Sequence, residues 1–353
     1  MACFKAGRGE IKVNKIKIVS IIMSVLLGLC ALSSCKLAGE EDGRIQSEAD
    51  SISTEADTLP SAVPEDMTEA EEPDDGSFVL KASSATAVLG NGKTYTGLEP
   101  LMLRDFKIED PDNTRGLSEK KHEYGFGVAK DGKPNEQSVN NQKFFDENGF
   151  DALALDTVSK DKVLYLTFDC GYENGYTEKV LDVLKEKDVN AAFFCTLDEV
   201  KSNPEIIARM INEGHIVGNH SVTHPSFAEL SRVEMAQEIK GMDDYLRINF
   251  GYSEPYFRFP MGEYSECALN LVNSLGYKCV FWSLAYADWD INAGKGKDYA
   301  VKTVCARLHP GAVILLHAVS PDNAAALPEI IDTARSRGYE FCSLRDYGEL
   351  TSE

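Results

Sequence analysis

The sequence predicts an α/β fold with a parallel sheet, and three observations carry that expectation. From Val163 onward, short apolar runs alternate with amphipathic segments of helical period, the signature of repeated βαβ units. Seven such runs follow one another. Polar residues able to do chemistry stand at or just after the C-terminal ends of several of them, the end where α/β barrels build their sites. Strand count alone does not separate a closed barrel from an open doubly wound sheet.

Ahead of that region the chain changes character three times. Lys5, Arg8, Lys12, Lys15 and Lys17 precede a strongly apolar run from about Ile18 to Leu32. A basic stretch followed by about fifteen apolar residues reads as a secretory signal and is short for a membrane-spanning helix. The run ends in Leu32-Ser33-Ser34-Cys35, which resembles the bacterial lipobox. That resemblance implies a signal peptide over 1–34, lipidation of Cys35, and a protein held as a lipoprotein on the outer face of the cell membrane. Cys30 fits less well, because Leu29 is bulky where a small residue is required. An uncleaved signal anchor is the alternative, and it also places the body outside the cytoplasm.

Residues 35–80 are rich in acidic residues, Ser, Thr and Pro. Within them, 40–75 hold fourteen Asp or Glu against Arg44, a net −13 of the chain's −21. Such a segment cannot bury enough apolar surface to offset its chain entropy, and its like charges extend it. It is expected to be a disordered tether. The acidic balance also excludes nucleic acid as a partner, since phosphate binding needs a basic surface. Residues 81–160 show turn signals at Gly90-Asn91-Gly92 and Pro111-Asp112-Asn113 but little periodicity. They are expected to form an extension that packs on, or leads into, a catalytic domain over 161–353.

In that domain the strand-like runs are 163–169, 191–196, 215–221, 256–260, 278–284, 312–318 and 339–344. Helical patterns lie over Thr177–Lys187, Pro204–Glu213, Arg232–Asn249 and Asn323–Arg337. With 353 residues, 43% of them hydrophobic, the chain can bury a full core. Its nine cysteines lack C-x-x-C spacing, so buried thiols are the default reading, and a structural disulfide among them stays open. The chain is expected to be monomeric.

The chemistry-bearing residues fall at strand ends. His220 and His224 in HSVTH are four apart and can converge on one metal ion if the segment turns helical after its strand. Asp169 in TFDCG follows an apolar run, where a carboxylate is costly to bury unless it is paired, ligates a metal or reacts; a capping role is the bland alternative. Arg258 in RFPMG is placed to pair with Asp169. Asp288 can poise His317 as a general acid. His122, His215 and His309 have no such placement and read as surface or packing residues.

The ordered set TFDCG, HSVTH, RFPMG, Asp288-Trp289 and LLH resembles the polysaccharide deacetylase (NodB homology) family, over roughly residues 162–347. The resemblance implies a distorted (β/α) barrel, which would settle the choice left open above. TFDCGYENGYT, EGHIVGNHSVTHP, FWSLAYADWD, ILLHAVSPDNAAAL and the lead-in LSEKKHEYGFG are similar to the delta-lactam-biosynthetic branch, which de-N-acetylates N-acetylmuramic acid in peptidoglycan before lactam closure in the spore cortex. The implied roles are Asp169 as general base toward the attacking water, His220 and His224 as ligands of a divalent metal, usually Zn2+, and Arg258 fixing Asp169. Asp288 would tune His317, His317 would protonate the leaving amine, and the Met261 N–H would stabilise the oxyanion. Glycan strands of peptidoglycan are the implied partner.

One position departs from the family pattern. The residue after the base is commonly a second, metal-binding Asp, and here it is Cys170. Its thiolate could ligate zinc, or it could be a bystander while water completes the coordination. Two rival functions stay in view: deacetylation of N-acetylglucosamine in wall or chitin-like polymers, and a degenerate, wall-binding lipoprotein.

Overall fold

The computed structural model describes residues 99–159 and 161–348, with two short strands at Ala87–Val88 and Thr94–Tyr95. The expected signal segment, Cys35 and the acidic tether lie outside the described residues. Among the described residues, no helix is long and apolar enough to cross a membrane. The two short strands pair antiparallel, Ala87 with Tyr95 and Val88 with Thr94, and so flank the expected Gly90-Asn91-Gly92 turn.

One eight-stranded parallel sheet dominates. Its strands are β1 (Ala152–Leu153), β2 (Val163–Cys170), β3 (Ala192–Cys195), β4 (Ile216–Asn219), β5 (Tyr256–Phe257), β6 (Lys278–Val280), β7 (Ala312–His317) and β8 (Glu340–Phe341). The order is β7-β2-β3-β4-β5-β6-β1, with β8 sharing the edge of β2 beside β3. The sheet curls until Leu284, beyond β6, bridges to Ile314 of β7. Leu284 N donates to Val313 O at 3.2 Å and Leu315 N donates to Leu284 O at 2.9 Å. A second bridge pairs Leu155, beyond β1, with Ala312 of β7, so the ring closes through two isolated bridges rather than a full ladder, which is the distorted barrel the family resemblance implied.

β2 shows how the sequence builds this. Seven of its eight residues are buried and the eighth, Asp169, is partly so, the near-continuous apolar run of a parallel strand covered on both faces. Leu164, Leu166, Phe168 and Cys170 pack with the helices on one side. Val163 and Tyr165 face the inner core. The period-two alternation continues through Thr167 and Asp169 and carries Asp169 inward.

Helices α1 (Glu136–Glu147), α2 (Thr177–Glu186), α3 (Leu197–Ser202), α4 (Pro204–Asn212), α5 (Arg232–Phe250), α6 (Glu266–Ser274), α7 (Lys297–Arg307) and α8 (Pro321–Ser336) surround the sheet. Their ends are chemically marked. Pro204 and Pro321 open α4 and α8, Ser231 and Glu234 form a capping box on α5, and Gly251 closes α5 in the left-handed region. The sheet takes its first strand from before Val163: β1 pairs with β6, Ala152 opposite Cys279. Gln142 of α1 serves that segment with its side chain, accepting from Ala154 N at 2.7 Å and donating to Ala152 O at 3.0 Å. At the start of β7, Gly311 has φ +73, and a Cβ there would lie 2.0 Å from the Asp156 carbonyl oxygen. Only glycine fits that crossing.

Candidate active site

The C-terminal ends of the strands converge on one cavity of about 700 Å³, lined among others by Asp169, His220, His224, Met261 and His317. Asp169 and His317 sit directly opposite one another in the β2–β7 register. Five of the sequence-predicted residues are thereby placed in a single hollow, with Arg258 and Asp288 just behind it.

Arg258 is fully buried and almost completely used. Nη1 donates to Asp169 Oδ1 at 2.7 Å, Nη2 to Thr167 Oγ1 at 2.9 Å and to Phe281 O at 3.2 Å, and Nε to Val280 O at 2.9 Å. Its guanidinium lies over the Phe194 ring at 4.2 Å. A buried cation held this way imposes a charge on its partner. Burial works against ionisation of Asp169, but Arg258, then His220 and His317, outweigh it and hold the carboxyl below its ordinary value. Asp169 is a carboxylate at neutral pH.

His317 moves the other way. Burial disfavours its charged form, yet the hydrogen bond and charge of Asp288, with the field of Asp169, raise it above the ordinary imidazole value. Asp288 in turn accepts from Asn323 Nδ2 at 2.5 Å, and Asn323 accepts from Tyr286 Oη at 2.5 Å. An acid and a base pushed apart in this manner mark a proton-transfer site.

His220 and His224 do not stand on a helix, contrary to the condition set from spacing. The segment after β4 is an irregular turn in which Ser221 (φ 73) and His224 (φ 59) take left-handed conformations. Side chains hold this strained path. Asn219 Oδ1 accepts from Ser221 N, Ser221 Oγ from His224 N, and Glu238 Oε2 of α5 from both Val222 N (2.9 Å) and Thr223 N (2.8 Å). The two imidazole centroids end 4.8 Å apart. Nδ1 of His220 donates to the Arg258 carbonyl at 2.8 Å, which leaves a lone pair on Nε2, 3.7 Å from Asp169 Oδ2. Burial lowers both rings, His220 to about 4, so both favour the neutral form at physiological pH.

This donor chemistry fits a divalent cation held by two imidazoles, with further positions left to solvent and substrate. The described residues contain no group of three or more His, Cys, Asp or Glu side chains around one point. Cys170 does not join the pair. Strand alternation turns it to the helix-facing layer, away from Asp169, beside Cys195 on β3. The hydrogen bond with Cys195 and burial both push its thiol well above the ordinary value and favour the neutral form. Met261 lines the cavity with φ 58, in a tight turn with Gly262 (φ +69), whose missing Cβ would meet Trp282 at 2.9 Å.

Around the mouth stand exposed aromatic side chains, Trp289 and Tyr172, with Trp289 5.9 Å from the His317 ring. His215 and His309 are buried packing residues, one bonded to Ala191 N and the other to Ser283 Oγ, and His122 stacks on Tyr264. Asn219 and Asn323 lie inside the quoted branch strings but were given no role there, and Glu238 had no signal in the sequence, since it acts on a loop that only the fold brings to it.

The polysaccharide deacetylase profile matches residues 156–280. The chain is 46% identical over 198 residues to the peptidoglycan-N-acetylmuramic acid deacetylase PdaA of Bacillus subtilis, covering 56% of this chain and 75% of that protein. It is 32% identical over 192 residues to a peptidoglycan-N-acetylglucosamine deacetylase of Bacillus cereus, covering 53% and 69%. The crystal structure of Bacillus subtilis PdaA, described as a family 4 carbohydrate esterase, superposes with TM-score 0.62 at 40% identity, covering 65% of this chain and 97% of that one.

Proposed function

This chain belongs to the polysaccharide deacetylase family, and we propose that it hydrolyses the acetamide of N-acetylmuramic acid in peptidoglycan. The observation that carries the reaction is the Asp169–His317 pair, an ionised carboxylate and an imidazole of raised basicity facing each other across adjacent strands in one cavity.

Asp169, fixed by Arg258, takes the proton of the attacking water. His317, charged and oriented by Asp288, delivers a proton to the departing nitrogen. The Met261 N–H meets the negative charge that develops on the acetyl oxygen. Deacetylases of the family generally depend on a metal; held by His220 and His224, a divalent cation such as Zn2+ would polarise the acetyl carbonyl. With two imidazoles and no thiolate from Cys170, that cation would be held less tightly than by a three-residue set.

The muramic assignment rests on the branch-specific strings and on the 46% identity to a relative named for that sugar. Deacetylation frees an amine beside the lactyl carboxyl, the two groups a muramic lactam joins, so a role in the spore cortex follows from the same reading. On this reading the lipobox-like Cys35 anchors the enzyme as a lipoprotein on the outer face of the cell membrane, within reach of glycan strands, and a monomer suffices for the reaction.

Acetate release from defined peptidoglycan fragments, with and without chelator, tests the reaction, and mass spectrometry of the digested glycan tests the sugar. Loss of 42 Da from muramic residues, as expected for an acetyl group exchanged for hydrogen (~42 Da by its formula, following the hydrolysis assigned here), supports the proposal. The same loss confined to glucosamine residues would overturn the muramic assignment. Glycan binding without acetate release would favour the degenerate, wall-binding reading that Cys170 raises.

A further inference from the structure

Among the described residues, the charged side chains that line or back the cavity are paired with one another, with one exception. Asp169 is paired with Arg258 and His317 with Asp288. Arg307, the last residue of α7, also lines the cavity. Among the described residues it has no carboxylate partner. In a chain of net charge −21, an uncompensated guanidinium facing the substrate is unlike the rest of the surface.

Its position is fixed. Nη1 donates to the Ala285 carbonyl at 2.6 Å, and Ala285 lines the same cavity. That single bond leaves most of the planar donor fork unused. Tyr299, close enough to feel the charge of Arg307, and Tyr286 form an adjoining wall, their rings packed edge to face at 6.1 Å. Tyr286 continues through Asn323 to Asp288 and the proposed general acid. A helix-end cation that only tidies its own terminus is the plain alternative. It does not account for a guanidinium turned into a substrate cavity and bonded to a carbonyl of that cavity's wall.

We propose that Arg307 is a carboxylate-recognising residue that binds an anionic substituent carried by the acetylated sugar, and that it selects muramic over glucosamine units. This rests on the deacetylase reading of the same site. The two sugars differ by a lactyl ether whose carbon neighbours the one bearing the acetamide. With the acetyl group at Asp169 and His317, the lactyl carboxyl has to lie in the same cavity. A free carboxylate there offers the bidentate match that guanidinium prefers, and an amidated lactyl group offers one neutral oxygen.

The test compares kcat/KM for acetate release from three oligosaccharide probes: a muramic-containing glycan with its lactyl carboxylates free, the same glycan with them converted to methylamides, and a chitooligosaccharide. Wild type should favour the free carboxylate. Arg307→Gln should lose roughly ten- to a hundredfold on that probe alone, with the preference weakening as salt is raised. Arg307→Lys should recover part of the loss, since charge survives but the fork does not. Equal losses on all three probes, together with a lowered melting temperature, would mean that Arg307 only braces Ala285 and would overturn the assignment. So would a wild type indifferent to amidation. Either result leaves the deacetylase reading standing, which only a wild type inactive on every probe would contradict.

Discussion

Asp288 grips His317 twice: Oδ1 accepts from the ring Nδ1 at 2.7 Å, and Oδ2 accepts from the peptide N–H of the same residue at 2.8 Å. The first bond sets the tautomer and raises the basicity of the ring, and the second fixes where the ring stands. Nε2 is left to face the cavity. One carboxylate thus controls both the charge and the aim of the proposed acid.

Asp288→Asn separates these effects. The protonated form of His317 is the active one, so activity is lost as pH rises through its pKa. Removing the carboxylate removes the cause that raised that pKa, and the basic limb of the kcat/KM profile should move to lower pH. The rate at its optimum should fall about a hundredfold or more, the scale of a disabled general acid. A basic limb that stays in place would assign it to another group.

Cys170 stands where a family ligand is commonly found but points into the helix-facing layer as a neutral thiol. Cys170→Ala should leave zinc affinity unchanged by calorimetry and cost about 1 kcal/mol of stability through lost packing. His224→Ala, the control, should weaken the metal more than the roughly ten- to hundredfold typical of outer-shell changes. A Cys170→Ala protein that loses zinc as His224→Ala does would restore the thiolate ligand.

What the sequence discloses and what it hides follow the same physics. The seven apolar runs and the strand-end polar residues were legible because parallel strands buried on both faces need unbroken hydrophobicity, and chemistry stands where it stops. α6 was hidden by its shortness: over nine residues the buried Cys267, Ala268, Leu269, Leu271 and Val272 leave only a narrow polar face of Glu266, Asn270, Asn273 and Ser274. α1 was hidden for the opposite reason: its key buried residue is Gln142, which serves β1 with hydrogen bonds rather than packing. The HSVTH spacing foretold the meeting of the two imidazoles but misjudged the route, since two left-handed residues, not a helical turn, bring them together.

That route depends on Glu238, fifteen or sixteen positions from the groups it holds yet on a separate helix. Its carboxylate collects Val222 N, Thr223 N and the Thr223 hydroxyl, which donates at 2.8 Å. Glu238→Ala should cost about 1 kcal/mol in denaturant unfolding, as the part-buried Val222 N–H and the exposed Thr223 N–H and hydroxyl lose their acceptor. It should also lower metal affinity, because the conformation that apposes His220 and His224 is no longer held. Glu238→Gln keeps one acceptor oxygen and should recover part of the metal affinity. Full metal affinity in Glu238→Ala would show that packing alone maintains the turn.

Glu199 supplies a pH-dependent stability that is separate from catalysis. It is 1% exposed, and its Oε1 has no hydrogen-bond partner among the described residues, as is also true of Glu173 Oε2. Burial first, and then the charge of Glu173, raise its pKa to about 7 from an ordinary 4.5. Between those values the folded protein keeps a proton that the unfolded chain has released. Stability therefore falls as pH rises from about 4.5 toward about 7 and levels off above it. The whole change is at most on the order of 3 kcal/mol. Glu199→Gln removes the ionisation, so the variant should lose less stability between mildly acidic and mildly alkaline pH, and should unfold at a higher temperature than wild type above neutrality. A wild-type melting temperature that stays flat across this range, or a variant weakened equally at every pH, would show that Glu199 ionises without penalty and that its buried oxygen finds a partner in solution.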